Sequence, residues 1–399
     1  MRMIPSASVI ASLVLCLSEG APSFAQTAQP ADSRRSKDTP RIVPFDADHW
    51  QLNDNAEIVS FGGRTALTGT AYVKDACLLN GTIEVDVWIT GEVKFAGFTF
   101  RVQSLDEYEW CWLRTHKTNG LVQDGVQYAP AFKGVPCWQL NGGPGGIGPV
   151  DVPKNEWVHM KIEILNESAA LFVADMTKPA MVMDHLQLGL KRGSVGLRAT
   201  VKGGVYFSNF SYQTDEKSAP VPPKEIVFPP TVLAKWQLSP SYPIPSVDVV
   251  PAYPARQLAE IKSWITPEVD VSGLVNITRY HGTAYHARVA ATAGSPDYAI
   301  LRAFIDAQED RRIRMNFGYS DAVTIFLNQV PLFWGNSAFL SRNKADGDWI
   351  SFNDAVFLNL KKGTNELLAV VAEDFGGWGF QARLDSVDGI TVRSPSEEN

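Results

Sequence analysis

The chain has 399 residues and a formal net charge of −7, long enough for two ordinary domains and too acidic overall to suggest a nucleic-acid surface. Charged residues at 20%, beside 31 glycines and 25 prolines, suit compact β-domains with many turns.

The chain opens on a segment that reads as a signal peptide. Arg2 supplies a short positive region, Val9-Ile10-Ala11-Ser12-Leu13-Val14-Leu15 an apolar one, and Ser23-Phe24-Ala25 a small-x-small cleavage pattern. Residues 1–25 are expected to be removed, and the apolar run is too short to span a bilayer. Leu13-Val14-Leu15 before Cys16 is a poor lipoprotein signal. A soluble exported protein, secreted or periplasmic and with no membrane insertion, is the expectation. Residues 26–40 are polar and read as a flexible leader holding the basic block Arg34-Arg35-Ser36-Lys37.

From Arg41 the pattern is that of strands. Thr82 to Thr90 alternates, with Ile83, Val85, Val87 and Ile89 on one face and Glu84, Asp86 and Trp88 on the other. Phe95 to Val102 follows. Tyr108-Glu109-Trp110-Cys111-Trp112-Leu113-Arg114-Thr115-His116 alternates strictly, so Tyr108, Trp110, Trp112, Arg114 and His116 share a face while Cys111 and Leu113 point to the core. A row of aromatics ending in cationic and polar groups is expected to be an exposed sugar-binding platform, because rings on one face repeat at about 6.6–7 Å, near the length of one sugar unit. The competing reading buries the tryptophans. Val158 to Ile164, Ala169 to Ala174 and Tyr206 to Phe210 complete an all-β first half with packed sheets.

Gln213 to Lys224, with Pro220, Pro222 and Pro223, reads as a semi-rigid linker, placed at 214–232. Beyond it, Ile300 to Ile305, Ile313 to Phe317, Val323 to Leu327 and Leu367 to Glu373 read as strands. Asn328-Gln329 and Lys362-Gly363-Thr364-Asn365 read as turns. This half, 233–399, is expected to be a second β-sandwich unlike the first.

Without Cys16, three cysteines remain, Cys77, Cys111 and Cys137. Cys111 and Cys137 lie on core-facing parities and either bridge adjacent strands or are small buried hydrophobes, the second being favoured. No clustered Cys/His spacing suggests zinc.

Candidate chemistry is sparse. Glu84 and Asp86 lie about 7 Å apart on one strand face, a spacing that fits paired glycosidase carboxylates. A richer polar set is Arg101, Arg114, His116, Asp124 and Gln127. If Thr99 and Arg101 share the face of Arg114 and His116, they meet across the sheet. A histidine beside arginines favours the neutral base form, so His116 and Arg114 are the catalytic candidates should any turnover occur. Trp378, in Glu373-Asp374-Phe375-Gly376-Gly377-Trp378, is a candidate stacking residue at the edge of the second half. His281 and His286 lie five apart and cannot share a metal on one strand face.

The series Gly97-Phe98-Thr99-Phe100-Arg101, Tyr108-Glu109, Leu113-Arg114, Gln127-Tyr128, Glu156-Trp157 and Gly193-Ser194-Val195-Gly196-Leu197 carries a resemblance of residues 41–213. That region resembles the concanavalin A-like lectin/glucanase superfamily, in particular the laminin-G-like relatives of 3-keto-disaccharide hydrolase domains. Retaining glucanases of that fold carry a Glu-x-Asp-x-x-Glu pattern; here Val87, Trp88 and Ile89 follow Asp86, so the second glutamate is missing. Gly318 to Asn328, Leu360 to Leu367 and Gly376-Gly377-Trp378-Gly379-Phe380 carry a second resemblance, of residues 233–393, to galactose-binding-like jelly rolls. There Asn328-Gln329 departs from the usual Asn-Gly turn.

Together these imply an all-β protein of two β-sandwiches, a concanavalin A-like jelly roll and a galactose-binding-like jelly roll, after a signal peptide. The expected function is carbohydrate binding on the concave face of the first sandwich. The expected ligand is an oligo- or polysaccharide, with Arg101, Tyr108, Trp110, Trp112, Arg114, His116, Gln127 and Trp378 as contacts. A glycan hydrolase or lyase centred on Arg101, Arg114, His116 and Gln127 is the enzyme alternative, and a non-catalytic adhesion module the third. No cofactor or catalytic metal is implied; structural calcium and the oligomeric state stay open.

Overall fold

A computed structural model describes residues 40–91, 94–115, 122–200, 202–215, 218, 220–222, 225–282, 296–339, 341–342 and 349–393. The expected signal peptide, most of the leader, His116 and His286 lie outside them. The described chain is built almost entirely of antiparallel strands, with one short α-helix, Ala255–Glu260. No described helix is long and apolar enough to cross a membrane.

Two sheets, each of eight described strands, form the N-terminal half. The first centres on Trp157–Leu165, Gly81–Ile89 and Val205–Thr214; the second runs Val122–Phe132, Glu107–Arg114, Phe95–Ser104, Ser194–Ala199 through its middle. Alternation decides what lies between them. Ile83, Val85, Val87 and Ile89 are at most 1% exposed and meet Phe98, Phe100, Cys111 and Leu113 of the other sheet in one core. Burying each such side chain fully contributes about 1.5–3 kcal/mol. The thiols of Cys111 and Cys137 are buried and form no disulfide, and burial pushes both up from the ordinary thiol range.

The C-terminal half packs a seven-stranded against a four-stranded sheet. Leu301, Ile305, Ile325 and Val371 face Met315, Phe317, Phe380 and Leu384 across a second core. Asn328 and Gln329 both take positive φ, 49° and 72°, and join Ala322–Leu327 to Val330–Asn336 as a tight hairpin of primed geometry. The turn therefore forms with glutamine where glycine is usual.

The two halves pack directly on one another. Phe132, Cys137, Leu140 and Leu188 share a buried cluster with Leu274. Ile350 N–H donates to Gln139 O at 2.8 Å, and Arg279 Nη2 to Gln187 O at 2.7 Å. In the connecting segment Val221 is 59% and Val227 85% exposed. Limited proteolysis is expected to cut between residues 214 and 230, and the shared cluster is expected to hold the two fragments together. Native gel filtration of the nicked protein checks this; two separately eluting fragments would contradict it.

Candidate functional site

The strand Glu107–Arg114 has the expected parity: Cys111 and Leu113 lie in the main core. The opposite face carries Tyr108, Trp110 and Trp112 in a separate cluster with Tyr72, Val102, Ala129 and Ala131. Strand register builds this outer face in rows, because registered neighbours project on the same side. Arg198, Gly97, Trp112 and Gln127 form one row; Gly196, Thr99, Trp110 and Ala129 form the next. On this face Trp110 and Trp112 stack on one another at 4.0 Å between centroids, beside small neighbours.

An exposed platform was expected here, and that is corrected. Trp110 is 4% and Trp112 3% exposed. They are not in the main core either: they form the floor of a cavity of about 370 Å³ between this face and loops of both halves. Its walls are Phe95, Pro136, Trp138, Phe339 and Phe375. Trp138 packs edge-on to Phe339 at 5.6 Å and to Phe375 at 6.2 Å. Gly376, at φ 87°, lets the Phe375 loop approach the Trp138 turn: a Cβ there would sit 2.2 Å from Gln139 Oε1 and 2.6 Å from Trp138 Nε1.

Arg114 stands at one end of the cavity. Its Nη1 donates to Gln127 Oε1 at 2.5 Å, and Nη2 is 3.4 Å from Asp124. The rings of Phe95, Trp138 and Trp349 surround the guanidinium at 5.6–5.8 Å. Gln127 is fully buried, and its Nε2 donates to Trp138 O at 2.8 Å and Asn141 O at 3.3 Å. Gln127 thus positions Arg114 and the Trp138 turn. Arg198 stands at the other end, its guanidinium 5.0 Å from the Trp110 ring and 5.5 Å from Tyr108.

Two of the expected contacts lie elsewhere. Arg101 takes a φ of 49° at a register break between Phe100 and Ser104. The extra residue of such a bulge reverses side-chain direction, so Arg101 turns from the cavity face and is buried. It donates to the carbonyls of Gly189, at 2.6 Å, Leu79, at 3.1 Å, and Asn166. Nearby, Glu109 accepts from Tyr128 Oη and Leu188 N–H, both at 2.8 Å. Burial raises the Glu109 carboxyl above its ordinary value and lowers Arg101, as expected of ionisable groups that brace one end of the sandwich. Trp378 is fully buried in the second core; the residue of its loop that reaches the cavity is Phe375. Tyr108 lies beneath Arg198 and does not line the cavity. Of the Arg101, Arg114, His116 and Gln127 set, the structure brings Arg114 and Gln127 together.

Sequence reading passed over Arg198, Trp138, Phe339 and Phe375. Arg198 was within reach, since it follows the core residue Leu197 in an alternating strand. The others sit in loops, where no period signals direction.

Glu84 and Asp86 face away from this cavity, on the outer side of the first sheet. His159 bridges them, 2.7 Å from Asp86 and 3.1 Å from Glu84, and Arg64 and Asn209 each bond Asp86 at 2.7 Å. Burial raises the Asp86 carboxyl, and the bonds from His159, Asn209 and Arg64 outweigh it to leave a net lowering. Phe61, Trp88, Trp157 and Tyr206 pack beside this network. Glu84→Gln is expected to cost less than about 1 kcal/mol of stability and to leave ligand binding in the cavity unchanged. A change of affinity in titration calorimetry would contradict that. Among the described residues no group of three or more His, Cys, Asp or Glu could hold a metal ion.

No family model matches the chain, and no curated protein matches it. Among solved structures it is similar to the carbohydrate-binding module CBM66 from Bacillus subtilis, at 14% identity over 43% of this chain and 100% of that one, with a TM-score of 0.33. It is similar to the exoplasmic/lumenal domain of VIP36 in its Ca2+/Man3GlcNAc-bound form, at 8% identity over 46% and 89%, TM-score 0.32. It is also similar to the GH43 protein BlXynB from Bacillus licheniformis, at 12% identity over 43% and 40%, TM-score 0.30.

Proposed function

We propose that the protein is an exported carbohydrate-binding protein that holds a glycan in the cavity over the outer face of the Glu107–Arg114 sheet. The observation that carries this reading is the stacked Trp110–Trp112 pair flooring a cavity of about 370 Å³, within the roughly 300–1,000 Å³ range of small-ligand sites. Sugar rings present apolar C–H faces to aromatics and hydroxyls to polar groups at the rim. Trp112 and Trp138 offer the first, Arg114 and Arg198 the second. The site is composite: the first sandwich supplies floor and cations, and the second supplies Phe339 and Phe375.

Recognition is favoured over turnover by the lining itself. Glycoside hydrolysis requires two carboxylates across the scissile bond, and the described lining residues are aromatic, aliphatic, Gln127, Thr200 and two arginines. A glycan array probed with the mature protein tests the proposal. Binding to a defined set of glycans is the expected result. A blank array, with no quenching of tryptophan fluorescence by any of the printed oligosaccharides, would overturn it.

A further inference from the structure

The charges around the cavity are not balanced. Its described lining contains two cations, Arg114 and Arg198, and no carboxylate, in a chain whose net charge is −7. The two arginines differ. Arg114 has Asp124 within 3.4 Å and Gln127 at 2.5 Å, so its charge is matched and its fork is held. Arg198 forms no ion pair among the described residues. The indole Nε1 of Trp110 beside it is buried without a hydrogen-bond partner among the described residues. Its polar partner, the Tyr72 hydroxyl, hydrogen-bonds with it and is kept neutral because burial raises it above the ordinary phenol value, although Arg198 pulls the other way. A neutral phenol does not compensate a guanidinium. Arg198 is half-buried, and buried N–H groups beside it are costly when unpaired; at functional sites such groups are held ready for a ligand.

The register explains why Arg198 addresses the cavity. It pairs with Gly97, which pairs with Trp112. Gly97 places no side chain between the guanidinium and the stacked indoles. A sugar packed against the Trp110–Trp112 stack therefore has Arg198 on one side and the neutralised Arg114 on the other.

We infer that the glycan bound here carries an anionic group, a carboxylate or a sulfate ester, that pairs with Arg198 while its ring lies against the tryptophans. The inference rests on the reading of the cavity as a sugar site. A planar carboxylate suits the guanidinium fork bidentately; a sulfate offers the same oxygen acceptors in a tetrahedral array.

Titration calorimetry with three probes of equal length tests it: a neutral gluco-oligosaccharide, an oligogalacturonate and a sulfated galactan oligosaccharide. The full-length mature protein is compared with Arg198→Gln and Arg198→Lys, each checked by thermal unfolding. The expected result is that one anionic probe binds more tightly than the neutral one, and which of the two does so names the group. Arg198→Gln should weaken that probe roughly 10- to 100-fold and any neutral binding by a clearly smaller factor, so that the preference for the anionic probe is lost. Arg198→Lys should restore part of the preference. Equal binding of all three probes to the wild type, or an anion preference that survives in Arg198→Gln, overturns the inference and leaves the glycan reading standing. No binding of any probe at millimolar concentration, together with a blank array, overturns both.

Discussion

Trp112→Ala is expected to weaken glycan binding by about 2 kcal/mol, roughly 30-fold, with the protein still folded. Trp378→Ala is expected to do the reverse. The two tryptophans have nearly the same exposure, 3% and 0%, yet they are buried by different things. Trp378 is enclosed by the second core, beside Trp236, Phe317 and Phe380. Its removal leaves a closed cavity, at a cost of about 3–5 kcal/mol. Trp112 is stacked on Trp110 and roofed by loops, so deleting it enlarges a space that already exists. Its loss should cost less stability and more affinity. Thermal unfolding and calorimetric titration of both variants check the pair. A Trp112→Ala protein that unfolds as readily as Trp378→Ala would show that Trp112 belongs to the structural core.

The contrast shows where the sequence was informative. Alternation put Ile83, Val85, Val87 and Ile89 on one face, which is the buried one, and put Trp110 and Trp112 on the face opposite Cys111. Period two reports direction but not what lies beyond the sheet. The outer face is covered by Trp138, Phe339 and Phe375, which come from turns and from the other half of the chain. No local pattern could reveal that cover, so a half-enclosed cavity read as an open platform. Arg101 failed for another reason. A single left-handed residue at φ 49° reverses direction, and a bulge leaves no mark on the apolar pattern when its flanks, Phe100 and Val102, are both apolar. Phe375 and Trp378 lie in the same glycine-rich loop. Gly376 and Gly377, at φ 87° and 91°, turn the chain so that Phe375 reaches the cavity and Trp378 the core, an outcome set by backbone angles rather than residue type.

That loop also carries a pH dependence to be expected of the fold. Asp321 is fully buried. Its carboxylate accepts the backbone N–H groups of Phe375, at 2.7 Å, and of Asp374, and the Ser320 hydroxyl lies 3.0 Å away. Burial raises its pKa from 3.8 to about 7; the two backbone bonds and Ser320 oppose this, and the charge of Asp374 adds to it. An acid that binds its proton more tightly when folded stabilises the fold fully below its unfolded pKa. That contribution is lost as pH rises towards the folded pKa. The window therefore runs from about pH 4 to about pH 7, and a shift of this size corresponds to roughly 4 kcal/mol. The carboxylates held below their ordinary values, Asp86 and Asp306 among them, act in the opposite sense but titrate at lower pH; Glu109, also raised by burial, acts in the same sense as Asp321 in wild type and variant alike, so the difference between the two profiles isolates Asp321. Asp321→Asn keeps an oxygen to accept from Asp374 and Phe375 and removes the titration. The wild type should lose stability between pH 4.5 and 7.5, and Asp321→Asn should lose clearly less while matching or exceeding the wild type at pH 7.5. Denaturant unfolding across this range is the measurement. Parallel wild-type and variant profiles would mean that Asp321 stays ionised throughout, held by its two backbone donors against the cost of burial.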